Sequence, residues 1–335
     1  MCDSLKYKKI LVTGSSAVLG TAIRSISIEY PQYEFIFISS SDCNLTNLPE
    51  TIRFVDSCRP DAIMHLAAVS GGIGLSIRHP ATMLRDNVLM TFSILEAARM
   101  CHVKKTIMTL TTGMYPVNAL LPLKEEYIHE GYPHESNYGS SFAKRLIDPA
   151  IRAYREEFGI SLLGLIPSGI FGENDNFNDD DAPMVPSLIR RFYENRNNEN
   201  KIIIWGDGTP LREYTYSRDL ARIYMWALEH YDDSQVLNIG SIEENSVKDI
   251  AFMIAEIMGI DTNRICFDKT KPLGIFRKNT DNSRLISLCG FKYTSFRDGL
   301  EKTIQWFCDT IERRPDSVRL YNKSKESRCT DKNAI

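Results

Sequence analysis

The sequence predicts an α/β fold: a Rossmann-type doubly wound parallel sheet with a smaller C-terminal substrate-binding lobe. Three observations carry that expectation. The stretch Lys8–Ile23 reads as strand, turn and helix, with an apolar run at Ile10–Val12, a turn at Thr13–Gly14, and helical spacing through Val18, Leu19, Ile23 and Ile26. Such an opening turns the free N–H groups of a helix start toward a pyrophosphate. Short apolar runs then alternate with longer amphipathic stretches, without internal repeats, as far as Pro167. Beyond Pro167 the rhythm changes.

The elements follow in order. Pro31 breaks the first helix pattern, and Glu34–Ser39 is a second strand. A short helix is expected over Pro49–Cys58 and a third strand over Ala62–Leu66. The glycine-rich run from His65 to Gly74 reads as a loop with room for a ligand, or simply as a loop. Pro80–Met100 is a long helix and Lys105–Leu110 the fourth strand. A polar loop runs to Asn137, one helix is expected from about Gly139 to Phe158, and Leu162–Ile166 is the fifth strand. In the second half the spacing predicts a loop over Phe171–Asp181, a helix over Val185–Glu194, a strand over Ile202–Trp205, and helices over Ser217–His230, Val247–Met258 and Phe296–Ile311. The domains expected are residues 7–167 for the dinucleotide, 168–312 for a lobe interleaved with it, and a polar, disordered tail over 313–335.

Composition narrows the function. At 335 residues with a net charge of −3, the chain can bury a large core and has no general affinity for nucleic acid. No stretch approaches the ~20 apolar residues that span a bilayer. The N-terminal segment lacks an apolar signal core, so a cytoplasmic protein is expected. Eight cysteines lie without close pairs or metal-type spacing, which predicts reduced, structural thiols and no metal.

The cofactor turn is incomplete. It reads Gly14-Ser-Ser-Ala17-Val18-Leu19-Gly20, and Ala17 puts a methyl where backbone must approach phosphate closely. After the second strand, Ser39–Ser41 offers no cation for a 2′-phosphate. Asp42 reads equally as a ribose carboxylate or as a turn residue.

Taken together, Gly14–Gly20, His65-Leu66-Ala67-Ala68, Gly71-Gly72-Ile73, Tyr115-Pro116, Phe171-Gly172, Asp175-Asn176-Phe177, Arg190-Arg191-Phe192 and Trp205-Gly-x-Gly-x-Pro-x-Arg212 resemble the GDP-L-fucose synthase family of extended short-chain dehydrogenase/reductases. The resemblance spans roughly Lys8–Thr310. It implies an NADP(H) cofactor, a GDP-4-keto-6-deoxy-hexose that is epimerised and then reduced, and a dimer built through the two long helices beside the cofactor. It implies cofactor contacts from Gly14, Ala17, Val18, Leu19, Gly20, Asp42, Leu66, Ala67 and Lys144, and substrate contacts from Arg191, Trp205, Arg212 and Lys271.

The resemblance breaks at the reacting centre. Lys144 and Thr111 match family catalytic positions, but the tyrosine four residues before the lysine is Ser140. Tyr138 would face away on a helix, since two residues turn the side chain by about 200°. The family's cysteine is Gly113 and its histidine Pro183, and neither can transfer a proton. His129 and His134 fall in the loop before Lys144 and read as exposed loop residues or as groups reaching the cleft. Three functions remain open. One is a GDP-sugar-binding protein with an inactive centre, as a homodimer or as a partner of an active paralogue. Another is an active synthase with relocated proton donors, and the third is a ligand-free scaffold.

Overall fold

The computed structural model describes residues 6–178, 181–271 and 275–320. In chain order the strands are β1 (Lys9–Thr13), β2 (Glu34–Ile38), β3 (Ala62–His65), β4 (Lys105–Thr109), β5 (Leu162–Ile166), β6 (Gly169–Phe171), β7 (Ile202–Trp205), β8 (Leu211–Tyr216), β9 (Leu237–Asn238), β10 (Glu244–Ser246) and β11 (Ile265–Asp268). The helices are α1 (Val18–Ile26), α2 (Leu48–Cys58), α3 (Ile73–Arg78), α4 (Pro80–Met100), α5 (Tyr138–Arg145), α6 (Ile147–Phe158), α7 (Met184–Glu194), α8 (Ser217–His230), α9 (Val247–Ile257), α10 (Ser283–Cys289) and α11 (Phe296–Arg313).

The main sheet runs β2-β1-β3-β4-β5-β9 with every pairing parallel. Its apolar strands are buried on both faces, which is why they read as runs rather than alternations. Ile10 and Val12 pack with Leu19, Ile23 and Tyr224 on one side, while Leu11 packs with Val55, Ile94 and Leu95 on the other. The strand order reverses at β1, so a crevice opens beyond the carboxyl ends of β1 and β3.

Lys105 opens β4, 1% exposed, beneath α8. Its ammonium donates to the carbonyls of Ala227, Leu228 and Tyr231 at 2.8, 2.8 and 2.6 Å. Ala227 also accepts from the Tyr231 N–H, whereas Leu228, in the last turn, has a carbonyl of the kind that a helix end leaves without a partner. A lysine thus caps α8 from within the sheet, where its cation also meets the negative end of the helix dipole.

The predicted Gly139–Phe158 helix is two helices, α5 and α6, which meet at Leu146. Pro149 has no N–H to give the carbonyl of Arg145, so one continuous helix would leave that acceptor empty. The glycine-rich loop gains the short helix α3.

The second lobe carries two small sheets, β10-β8-β6 and β11-β7, around a core of Phe171, Phe177, Ile189, Phe192, Ile250 and Phe307. The strands β6, β8, β9, β10 and β11 and the helix α10 were not anticipated. Several are only two to four residues long and are defined by the neighbour they pair with rather than by their own pattern. The polar segment after Arg313 corrects the expectation of a free tail from that point. Val318 is buried, and the Phe177 N–H donates to the Arg319 carbonyl at 3.1 Å. The rest of the expected tail, 321–335, lies outside the described residues. Among the described residues no helix is long and apolar enough to cross a membrane.

Candidate functional site

At the first turn, Gly14 adopts φ +67°, and a Cβ on it would stand 2.7 Å from the Ala67 nitrogen. A Cβ on Gly20 would lie 2.5 Å from the Gly14 carbonyl. Both positions therefore require glycine. Ala17 caps α1 without any side-chain hydrogen bond. The first main-chain bond into the helix is from Thr21 N–H to the Ala17 carbonyl at 2.9 Å, so the N–H groups of Val18, Leu19 and Gly20 remain directed out of the helix start. Leu66 and Ala67 instead donate their N–H groups to Thr13 Oγ1, each at 3.2 Å. With its lone pairs so used, Thr13 Oγ1 donates to His65 Nδ1 at 2.9 Å. The neutral ring then carries its hydrogen on Nε2, which is buried and has no partner. Burial, with the charge of Lys144 nearby, holds His65 down to about 3. His65 Nε2 is thus a buried donor without a partner among the described residues.

Beyond β2, Asp42 takes the turn alternative. Its Oδ2 accepts from the Ser39 N–H and the Ser39 hydroxyl, both at 2.8 Å. Those bonds hold its carboxyl below the usual range.

The reacting centre forms where β4 ends against α5. Thr111 Oγ1 accepts from the Gly113 N–H at 3.2 Å, and Ser141 Oγ donates to the Gly113 carbonyl at 2.9 Å. A Cβ on Gly113 would lie 3.0 Å from Asn137 Nδ2, 3.4 Å from Ser141 Oγ and 3.5 Å from Thr111 Oγ1. Lys144 is buried one turn along, and its ammonium donates to the Thr109 carbonyl at 2.9 Å. Desolvation pulls it down to about 8. Ser140 is half-buried on the same helix. Tyr138 begins α5 and is exposed. Gly139 lets α5 approach the start of α4, since a Cβ there would meet the Pro80 carbonyl at 2.4 Å. Pro183 stands at the N-terminus of α7, close to where Gly72 N–H donates to the Asp181 carbonyl at 3.1 Å.

The two loop histidines part company. His129 pairs with Asp148 at 2.7 Å on the surface. His134 lines a small cavity with Gly113, Tyr115, Leu123, Arg277 and Lys278.

At the nucleotide end the four expected residues fall into two groups. Lys271 lies over the ring of the exposed Trp205, 5.5 Å from its centroid. Arg191 donates to the Ile203 carbonyl at 2.5 Å, two residues before Trp205 on the same strand. Arg212 points elsewhere, donating to the Ile275 carbonyl at 2.8 Å. Its neighbour is Lys278, which sequence reasoning missed. Burial and the charge of Arg212 pull the Lys278 ammonium down to about 8. Neither cation has a carboxylate partner among the described residues. Glu213 brings them together: buried in β8, it accepts from Thr280 N–H and Thr280 Oγ1, both at 2.7 Å, and so fastens the segment that carries Lys278 beside Arg212. The available signal was the basic pair Arg277-Lys278, but Arg277 is taken by Glu244, Nε to Oε1 at 2.9 Å.

Comparison with known proteins bears on the family and the fold. The sequence profile of the NAD dependent epimerase/dehydratase family matches residues 10–240. The GDP-L-fucose synthase of Dictyostelium discoideum is 32% identical over 317 residues, covering 93% of this chain and 99% of that protein. The GDP-L-fucose synthase of Escherichia coli is 28% identical over 92% of this chain and 99% of its own. A crystal structure of a GDP-L-fucose synthetase from Naegleria fowleri bound to NADP superposes with a TM-score of 0.86 at 30% identity, covering 93% and 96% of the two chains.

Proposed function

The chain belongs to the NAD dependent epimerase/dehydratase family and, within it, to the GDP-L-fucose synthases, and from that membership we propose that it binds a GDP-sugar while its epimerase and reductase centre is inactive. The carrying observation is the contrast between the two ends of the cleft. Lys278 feels the charge of Arg212, and neither has a carboxylate partner among the described residues, which suits a diphosphate. At the positions where the family resemblance expects tyrosine, cysteine and histidine, the centre has Ser140, Gly113 and Pro183.

The crevice fits a dinucleotide in part. The uncapped start of α1, the Gly14–Gly20 turn and the orphan His65 Nε2 support a pyrophosphate and ribose there, with Lys144 beside them. Bound as NADP(H), the cofactor of the Naegleria relative, the group would supply hydride to a sugar ketone. This chain's own residues give that ketone no phenol: Ser140 has neither the reach nor the acidity to protonate it. Ala17 and the self-closed Ser39–Asp42 turn oppose tight, 2′-phosphate-selective binding. Fluorescence titration is expected to show weak NADPH binding with little preference over NADH; tight, selective binding would overturn that reading.

GDP is expected to raise the unfolding temperature, since a ligand at a hundredfold excess over its Kd stabilises by roughly 2.7 kcal/mol. UDP should do so less, and Arg212→Ala or Lys278→Met should remove most of the shift. A diphosphate favours charged Lys278, whose free ammonium titrates at about 8. Below that pH the lysine is charged with or without ligand; above it, binding must take up a proton. Affinity is therefore expected to fall as pH rises through about 8, and Lys278→Arg should flatten that slope. No GDP-dependent shift at all would leave the scaffold reading in place.

The face of α4 that shows Leu84, Leu89 and Phe92 supports a dimer, homomeric or with an active paralogue. Sedimentation is expected to give a dimer of the purified chain. A monomer that stays single even with an active relative would remove this part.

A further inference from the structure

The sugar end of the cleft carries an inference that rests on the GDP-sugar reading and goes beyond it. Asn137 sits between the last turn of the loop and the start of α5, fixed by its own N–H donating to the His134 carbonyl at 3.1 Å. Its side chain makes no hydrogen bond among the described residues, and Oδ1 is buried without a partner. A buried amide oxygen left unpaired costs about 1–3 kcal/mol. The amide reaches the space above Gly113, its Nδ2 being 3.0 Å from the site of a would-be Cβ. A larger residue at 113 would press on it.

The neighbours have fixed polarity. His134 Nδ1 accepts from the Ser136 N–H at 3.2 Å, and a backbone N–H can only donate. The neutral ring therefore holds its hydrogen on Nε2, and the ring lines the same cavity as Gly113. Thr111 and Ser141 contribute hydroxyls already engaged with the Gly113 backbone. The Asn137 amide itself carries one unpaired acceptor, Oδ1, and the donors of Nδ2. It matches a ligand group that both donates and accepts.

We propose that Asn137 is a specificity-determining residue that binds a ring hydroxyl of the sugar, so that the cleft selects a hydroxyl-bearing GDP-hexose over GDP itself. A ring hydroxyl would donate to Oδ1, and a neighbouring ring oxygen would accept from Nδ2. Sites built to bond a hydroxyl discriminate strongly against ligands without it, because the buried groups are then left unpaired.

The experiment compares GDP, GDP-mannose and GDP-L-fucose by calorimetric titration of the full chain and of two variants. In the unmodified protein at least one GDP-hexose is expected to bind about tenfold or more tighter than GDP, as one rescued buried hydrogen bond would give. Asn137→Ala should bring that ratio close to one. Gly113→Ala, which sets a methyl 3.0 Å from the amide, should reduce it. The Gly113 variant also keeps the test open if Asn137→Ala fails to fold. GDP binding with no gain from either sugar, or a gain that survives both substitutions, overturns this inference alone. No binding of GDP would remove the nucleotide reading and this inference together.

Discussion

Given NADPH and GDP-4-keto-6-deoxy-mannose, the purified protein is expected to form GDP-L-fucose at least ~10⁴-fold more slowly than an ordinary family member, since each missing general acid or base typically contributes ~10²–10⁴-fold. Product analysis by chromatography measures it directly. Reduction needs a proton donor for the ketone oxygen, and epimerisation needs an acid and a base on opposite faces of the ring. Ser140, Gly113 and Pro183 supply none of these. Ser140→Tyr alone is expected to restore little, because residues that act in one sequence of steps fail together. Gly113→Cys is sterically feasible: the nearest atom to the new Cβ is the end of Asn137, at 3.0 Å, and that side chain has no bonds to hold it in place. Ser140→Tyr, Gly113→Cys and Pro183→His combined are therefore the informative variant. A turnover near that of ordinary enzymes from the unmodified chain would refute inactivity and favour relocated donors, with His134 the first to test.

Lys105→Met is expected to destabilise the fold by about 3–5 kcal/mol, since each buried carbonyl that loses its donor costs about 1–3 kcal/mol. In a chain of this size that lowers the unfolding temperature by roughly 5–10 °C. The substitution keeps most of the buried stem but leaves the carbonyls of Leu228 and Tyr231 without their side-chain donor and Ala227 with only the Tyr231 N–H. The adjacent Lys104 provides the control. It pairs with Asp61 at 2.7 Å on the surface. Exposed pairs are worth about 0–1 kcal/mol, so Lys104→Met should barely move the transition. Calorimetry showing equal, small shifts for both would mean that Lys105 does not cap α8.

The contrast between these two lysines shows what was readable in the chain. Neighbouring letters give no hint of which side chain is buried; that depends on α8, more than a hundred residues away. Where structure is set locally, the sequence was informative. The strand-turn-helix opening and the Pro80–Met100 helix have strong apolar spacing and clear boundaries, and both stand as expected. The short strands of the second lobe owe their form to partners such as β8, which pairs β6 on one side and β10 on the other. The same limit applied to the cleft. Lys271 was named from its segment, but its place over Trp205 is set by the fold. Lys278 owes its place to Glu213 fastening Thr280, a contact between residues 67 apart. The break between α5 and α6 was legible in Pro149, whose missing N–H was overlooked beside a long helical pattern.

The docking of Val318 and Arg319 has a practical consequence for protein chemistry. The Arg319 carbonyl holds the Phe177 N–H, and the Leu320 carbonyl accepts from Arg190, so the end of the described chain is stitched into the loop that leads to α7. That loop contains the buried Asp175 and runs on to Pro183. An affinity tag or fluorescent fusion placed close after Leu320, or a truncation at Arg313, would pull on the loop beside the cleft rather than hang free of it. Labels intended to report ligand binding without disturbing it belong at the other terminus, ahead of Lys8.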